Sequence, residues 1–299
     1  MQMLSRRNRI FTAALVVCGV FASSQQARAQ THTLSARQVV ERIESNLNGR
    51  WPDDGIDSFK DGDPNTPVTG VAVTMMATMD VLQRAAATGL NLIITHEPTF
   101  YSHEDRLTFL EQQHDTVTAA KRAFIREHHL VIWRLHDHWH FPQRSIDPVV
   151  TGVFRALDWL KYQHTPSENP IVIPATTVGG LASEMKRRLG ARTIRVVGDS
   201  AWRVTKIGLL PGSAGFEMQR TFLQRDDVEV LVIGEAREWE TIPYAADAIS
   251  QGKHKALIVL GHIASEQAGS AELVQWLQPF VPELRVRLVA TSEPFWAPR

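Results

Sequence analysis

The chain has 299 residues, with 32 basic side chains, 32 acidic side chains and a single cysteine. Because the charges balance, the composition gives no reason to expect nucleic acid or an anionic membrane as a partner. The length is sufficient for a large hydrophobic core, organised as one large domain or two smaller ones.

Residues 1–29 have the three-part plan of a secretory signal: a basic front, an apolar stretch and a small-residue cleavage site. The pair Arg6-Arg7 resembles a twin-arginine signal, so we expect a periplasmic or otherwise exported protein of residues 30–299. Its apolar stretch is too short for a comfortable membrane span. Without this segment, 28 basic and 32 acidic residues remain and Cys18 is lost, so any metal must be held by His, Asp or Glu.

Hydrophobic spacing predicts alternating helices and strands before residue 163. In chain order, the prediction is a helix at 35–47, a loop at 51–66, a strand at 68–74, a helix at 79–88, a strand at 92–95, a helix at 116–128, a strand at 130–135 and a helix at 146–160. Strands that alternate with helices indicate an α/β fold with a largely parallel sheet.

A proline-containing stretch at 163–177 predicts a boundary between two lobes. The second half repeats the alternation, with helices predicted at 178–189, 215–224, 239–251 and 265–277, and strands at 193–197, 204–210, 228–233, 256–260 and 286–290.

Three predicted strands are followed by side chains of the types that bind metal ions. The first strand leads to His96 and Glu97, the second to the sequence His-Asp-His-Trp-His at 136–140, and the third to His262 and Glu266. In parallel sheets, ligands gather at the carboxyl ends of strands, so the three clusters should converge. Each has a plainer interpretation as a solvated turn, and the 136–140 cluster is the most specific.

The geometry of two clusters depends on local structure. If residues 136–140 are extended, His136, His138 and His140 point to one side, because side chains alternate along a strand. If the last helix begins near Ser265, His262 lies in the preceding loop. Surface positions are expected for the remaining histidines of polar helices and loops: His103, His114, His128, His129 and His254.

Other chemistries have little support. The sequence contains no Gly-x-Ser-x-Gly elbow, no Walker loop and no glycine-rich dinucleotide turn. Glu97 is a candidate general base if it is not a ligand, and Glu235 is the second choice, although Glu235 could equally support a ligand or be solvated. Arg134 is a candidate for binding a substrate anion only by its position near a strand end.

Three segments resemble the Nif-three-like dinuclear metal centre family, also described as GTP cyclohydrolase I type 2 homologues. They are GVAVTMMATMDVL at 70–82, GLNLIITHEPTF at 89–100 and VLGHIASE at 259–266. The resemblance covers most of residues 34–290. It implies two similar α/β lobes, a two-metal site between them and often a toroidal hexamer. It also implies that His96, His262 and Glu266 correspond to metal ligands of the family.

Two positions depart from the family pattern. The family commonly has a second histidine where this chain has Glu97, and it ends its His-Thr-Asn-Leu-Asp motif with an aspartate where this chain has His140. We interpret the pair as a swap that preserves ligand count and charge. The export signal is a third departure, and it argues against GTP as the substrate because nucleoside triphosphates are scarce outside the cytoplasm.

The sequence therefore predicts an exported metal-dependent hydrolase with two divalent ions (Zn, Mn or Fe), acting on a small phosphoester, nucleotide-like or amide substrate. The alternative is a non-catalytic metal carrier or scaffold. A homo-oligomer is expected from the resemblance, without nucleic acid and without a membrane after signal removal. The predicted metal ligands are His96, Glu97, His136, His138, His140, His262 and Glu266.

Overall fold

The computed structural model describes residues 33–140, 146–162 and 170–298. The predicted signal at 1–29 and the first part of the predicted lobe boundary lie outside the described residues. Across the described ranges, no helix is long and apolar enough to cross a membrane.

Helices and strands alternate through both halves of the chain. The helices are α1 Ala36–Glu44, α2 Met79–Ala87, α3 Thr108–Gln112, α4 Thr116–Glu127, α5 Asp137–His140, α6 Pro148–Leu157, α7 Val178–Leu189, α8 Phe216–Gln224, α9 Thr241–Ser250 and α10 His262–Leu277. The strands are β1 Phe59–Asp61, β2 Val71–Met76, β3 Leu92–Glu97, β4 Val131–Arg134, β5 Ile171–Thr177, β6 Arg195–Val197, β7 Arg203–Leu210, β8 Val230–Ile233, β9 Ala256–Val259 and β10 Val286–Leu288.

The strands form two five-stranded sheets. The first has the order β1-β4-β3-β2-β10 and the second the order β5-β7-β8-β9-β6. Strands β2, β3, β4 and β10 pair in parallel, as do β7, β8 and β9, whereas β1, β5 and β6 pair antiparallel at sheet edges. The prediction of an α/β fold with two lobes and largely parallel sheets is confirmed.

Apolar sequence at the central strands explains this arrangement. Strands β3, β4, β8 and β9 are buried along their whole length, as expected for strands covered by helices on both faces. The polar ends of β3 and β9 therefore emerge directly from a packed core, and these ends carry candidate site residues.

Strand β5 occupies 171–177, the second part of the predicted lobe boundary, and is the first strand of the second sheet along the chain. Two local predictions were wrong. Strand β1 lies inside the stretch predicted as a loop at 51–66, because a three-residue edge strand leaves no periodicity to detect. Helix α10 begins at His262 rather than near Ser265, so His262 is the first helical residue and not part of a loop.

Helix α10 brings the second sheet's polar end against the first sheet. It leaves β9 through Gly261 and packs on both β2 and α6. A side chain at Gly152 of α6 would collide with the α10 backbone at Ala268, so glycine permits the close helix crossing. This packing carries the first turn of α10 toward the end of β3.

Candidate metal centre

The end of strand β3 supplies two buried polar side chains. His96 is 4% exposed and Glu97 is 7% exposed. The Nδ1 atom of His96 lies 3.2 Å from the carbonyl oxygen of Leu135, which favours the tautomer with hydrogen on Nδ1 and a free lone pair on Nε2. That Nε2 is buried and has no hydrogen-bond partner among the described residues. A buried nitrogen without a partner is costly unless it binds a cation.

Residues 137–140 form a helical turn, so the expectation of an extended chain was wrong. The physical reason is the carboxylate of Asp57. It accepts hydrogen bonds from the backbone N–H groups of His136, Asp137 (3.1 Å) and His138 (2.7 Å), as a helix N-cap does. The turn places His136 and His140 four residues apart on one face.

His138 faces away from that group. Its Nδ1 lies 2.7 Å from Asp57, and its ring stacks on Trp51 with centroids 3.5 Å apart. It belongs to neither group of side chains whose ligand atoms come together. Of the three histidines in the 136–140 cluster, the structure therefore brings two toward His96.

The rings of His96, His136 and His140 pack around one point. Their centroids are 4.7, 4.8 and 4.7 Å apart, and their candidate ligand atoms lie within 4.8 Å of one another. The Nδ1 atom of His136 lies 2.8 Å from Asp137, and that of His140 lies 2.7 Å from Asp147. Such carboxylate partners fix the tautomer and the ring orientation of metal-binding histidines.

The first two turns of α10 supply His262 and Glu266, again four residues apart. The Nε2 atom of His262 lies 3.2 Å from Oε2 of Glu266. Ser265 fixes the start of this helix, because its hydroxyl donates to the carbonyl of His262 and accepts from the N–H of Gly212. Gly212 has a φ of +64°, and any side chain there would collide with the Glu266 carboxylate.

Two carboxylates, those of Glu97 and Glu266, connect the site residues of the two sheets. The whole group is called the cluster below and consists of His96, Glu97, His136, His140, His262 and Glu266. Oε1 of Glu97 lies 3.1 Å from Nε2 of His262 and 3.6 Å from Nε2 of His136. Oε2 of Glu266 lies 3.2 Å from Nε2 of His262 and 3.5 Å from Nε2 of His96. Each carboxylate thus faces His262 on one side and a histidine of the three-ring group on the other.

Arg134 is paired with Glu97. The sequence suggested that Arg134 binds a substrate anion, but the structure uses it to position Glu97. Its side chain is fully buried, with Nη2 3.2 Å from Oε2 of Glu97 and Nε 3.0 Å from the carbonyl of His96. A third bond goes to the carbonyl of His103. Arg134 therefore contacts Oε2 of Glu97, and Oε1 faces His262 and His136.

The carboxylates and imidazoles of the cluster shift one another's pKa values. Burial alone would raise the pKa of Glu97 and Glu266, but hydrogen bonds from neighbouring histidines outweigh it. The pKa of Glu97 falls well below its usual range, and that of Glu266 falls to about 2. Burial would lower the pKa of His262, yet hydrogen bonds to Glu235, Glu266 and Glu97 raise it to about 12. Carboxylates of this kind suit a divalent ion as well as an imidazolium.

Glu235 stands at the edge of the cluster. Its Oε2 lies 3.3 Å from Nδ1 of His262, and its side chain is 50% exposed. The hydrogen bond with His262 lowers the pKa of Glu235. His103, one of five histidines expected at the surface, is exposed as predicted, but its ring lies 5.8 Å from that of His136.

Two supporting residues were missed by sequence reasoning. Asp147 was identifiable as a helix start, because Asp-Pro commonly opens a helix with the acid as N-cap and proline at the first position. Asp57 gave no such signal, since it lies in an Asp-rich loop about 80 residues from the turn that it caps.

The donor set fits a divalent metal. It combines imidazole nitrogens, whose other ring nitrogens are held by acceptors, with carboxylates and an unpartnered buried nitrogen. These are the ligands and supporting contacts that transition-metal sites use.

Solved structures share this fold over nearly their whole length. A Bacillus cereus protein related to NIF3 superposes with a TM-score of 0.64 at 14% identity, covering 88% of this chain and 99% of its own. Staphylococcus aureus protein SA1388 gives a TM-score of 0.60 at 15% identity, covering 89% and 99%. Reduced HcgD from Methanocaldococcus jannaschii gives 0.56 at 12% identity, covering 85% and 96%. At these identities the likeness shows the fold alone.

Sequence comparison identifies the family. No curated protein matches this chain. The family model for Duf34/NIF3 (NGG1p interacting factor 3) matches residues 36–132 and 171–294, which together span most of both lobes. The matched ranges include the ends of β3 and β9, with His96, Glu97, His262 and Glu266. The chain therefore belongs to the DUF34/NIF3 family.

Proposed function

We propose that this protein binds two divalent metal ions at the cluster and uses them to hydrolyse a small phosphoester, nucleotide-like or amide substrate. The observation that carries the proposal is the buried Nε2 of His96, which has no hydrogen-bond partner in the described part of the chain and faces two other imidazoles. A divalent ion bound here would satisfy this nitrogen together with the neighbouring imidazoles and the Glu266 carboxylate, whose Oε2 lies 3.5 Å away.

The side chains divide between two ions. His96, His136 and His140 would hold one ion through their Nε2 atoms. His262 would hold the other together with Glu97 and Glu266, whose oxygens lie 3.1 and 3.2 Å from its Nε2. The two carboxylates also face the three histidines, so they would lie between the ions. His138 would bind neither ion.

Two bound divalent ions lower the pKa of a bound water and polarise a substrate oxygen. The protein must then supply a side chain that accepts a proton from this water. Both oxygens of Glu97 are engaged, one by Arg134 and the other by His262, so Glu97 acts as a ligand. Glu235 is half exposed and reaches the cluster through His262, which makes it the proton acceptor in this proposal.

Metal analysis tests the site. The full chain, purified and stripped with a chelator, should take up about two Zn, Mn or Fe ions, as measured by elemental mass spectrometry. A preparation that stays metal-free in the presence of all three ions contradicts the proposal. Wild-type turnover on a panel of phosphoesters, nucleotides and amides is expected to be lost in Glu235→Gln with both ions retained. Glu238→Gln, on the same loop but paired with Arg195 at the surface, is the matched control.

One observation favours a non-catalytic alternative, a metal carrier or scaffold. His96, Glu97 and Glu266 are all less than a tenth exposed, so much of the cluster is closed to a substrate. The same panel separates the two functions. Two tightly bound ions without turnover on any substrate class, combined with transfer of metal to a competing chelator, would establish the carrier.

The export prediction is kept as part of the proposal. A basic front followed by an apolar stretch at 1–29 supports export, and a twin-arginine route would carry a protein that has folded and bound metal beforehand. Cell fractionation of the wild type and of an Arg6→Lys, Arg7→Lys double variant tests it. Sedimentation of the mature protein tests the expected homo-oligomer.

A further inference from the structure

The two halves of the cluster differ in donor chemistry. The first, called here the nitrogen position, consists of His96, His136 and His140. The second, called the oxygen position, consists of Glu97 and Glu266 with His262, whose Nε2 lies 3.1 and 3.2 Å from their oxygens. The candidate ligand atom of His96 lies within 4.8 Å of the other two histidines of its group and also within 4.8 Å of both carboxylates. The nitrogen position offers three imidazole nitrogens, whereas the oxygen position offers one imidazole and two carboxylates. A metal ion in one position therefore meets a different charge and a different set of donor atoms from an ion in the other.

His96 belongs to only one of the two positions. Its Nδ1 is engaged by the carbonyl of Leu135, so Nε2 is its single available lone pair, and one lone pair binds one ion. The ring centroids of His136 and His140 lie 4.7 and 4.8 Å from that of His96, with almost the same separation between themselves. This nearly equilateral arrangement assigns His96 to the nitrogen position.

The acceptors behind the rings hold this arrangement. Leu135, Asp137 and Asp147 each engage the Nδ1 atom of a different histidine, at 3.2, 2.8 and 2.7 Å. An acceptor at Nδ1 favours the tautomer in which Nε2 is the ligand atom of a metal-binding histidine. In the oxygen position, Arg134 occupies the far oxygen of Glu97, which leaves one oxygen for the cluster.

We propose that the cluster is built for two different metals: a borderline ion such as Zn(II) in the nitrogen position, and a harder ion such as Mn(II) or Fe(II) in the oxygen position. Imidazole ligands suit zinc, and carboxylate ligands suit manganese and other oxygen-seeking ions. This inference rests on the proposed two-metal function, and it adds that the ions are not interchangeable.

The test uses the full chain, stripped of metal and given one equivalent each of Zn(II) and Mn(II). We expect about one of each ion per chain after desalting. Pulsed EPR of the bound Mn(II) should report coupling to a single histidine nitrogen. In a separate titration with zinc alone, the first equivalent should bind at least about tenfold more tightly than the second.

A substitution of one histidine in the nitrogen position tests whether its donors determine the preference for zinc. His140→Asp places an oxygen donor there, and we expect the tighter zinc affinity to fall about tenfold while the Mn(II) signal keeps its single nitrogen. His128→Gln removes an exposed imidazole from the end of α4 and should change neither value. Thermal unfolding of each metal-stripped variant verifies that it folds.

Two results would overturn the inference. Zinc equivalents of equal affinity, or Mn(II) coupled to three histidine nitrogens, would show that the ions do not sort by donor type, although the two-metal site would stand. Absence of bound metal in every preparation would overturn the proposed function together with this inference.

Discussion

Two pairs of side chains in this protein share one spacing but are held in different ways. His136 and His140 are four residues apart, and so are His262 and Glu266, and each pair follows a buried strand. The first pair sits on a single helical turn of four residues, the second at the start of a helix of 16 residues. Every histidine of the two pairs has a carboxylate at Nδ1: Asp137 for His136, Asp147 for His140 and Glu235 for His262.

The two pairs differ in what stabilises the helical backbone that carries them. A 16-residue helix is stabilised by its own hydrogen bonds and by packing, so α10 orients His262 and Glu266 with little outside help. A four-residue turn is too short to be stable alone. It is held by Asp57 and by the bond between His140 and Asp147. The short turn therefore depends on carboxylates outside it, whereas in the second pair helix continuity provides most of the support and Ser265 adds to it.

Removal of the Asp57 carboxylate should give the largest effect. Asp57→Ala leaves the N–H groups of the 136–140 turn without their acceptor, at a cost of about 3 kcal/mol in the free energy of unfolding. Urea denaturation of the metal-stripped protein measures this value. Asp54→Ala, an exposed aspartate of the same loop, is the control and should change it by less than about 0.5 kcal/mol. Equal effects in both variants would contradict the assigned role.

The supporting carboxylates of the two pairs should differ in strength. Asp147→Asn weakens a 2.7 Å contact to His140, and we expect zinc affinity to fall about 10- to 100-fold. Glu235→Gln weakens a 3.3 Å contact at a half-exposed position, so its effect should be smaller, about threefold or less. Competition with a chromophoric chelator measures both. A larger loss in Glu235→Gln would reverse the comparison.

The long helix should tolerate the loss of its local support better than the short turn. Ser265→Ala removes the acceptor of the Gly212 N–H and the donor to His262, and we expect a loss of about 1–2 kcal/mol in unfolding free energy. Ser183→Ala, which breaks an exposed bond within α7, should cost less than about 0.5 kcal/mol. A loss for Ser265→Ala that exceeds that for Asp57→Ala would contradict the difference in rigidity.

A buried lysine outside both pairs gives the smallest effect and a pH reference for the scaffold. Burial lowers the pKa of Lys121 from 10.5 to about 8 in the folded protein. Between these values the unfolded chain binds more protons than the folded one, so folding stability rises with pH. Relative to Lys121→Met, the wild type should gain on the order of 1 kcal/mol from pH 8 to pH 9. Denaturation at several pH values measures this, and a flat difference would contradict it.

Much of the fold followed from local pattern. The runs 92–94 and 256–259 are apolar throughout, and the helices between the strands have clear spacing, so the alternation and the largely parallel sheets could be predicted. Edge strand β1 and helix α3 could not, because segments of three to five residues carry too few positions to show a period.

The candidate site divides in the same way. The residue types that follow β3, β4 and β9 could be predicted from local sequence, because an apolar run marks where each strand ends. Which of these side chains contact one another depends on how the chain packs. Asp57 curls the 136–140 segment into a turn, which directs His138 onto Trp51 and leaves His136 and His140 beside His96. A contact across about 80 residues depends on chain packing, and no local pattern encodes it.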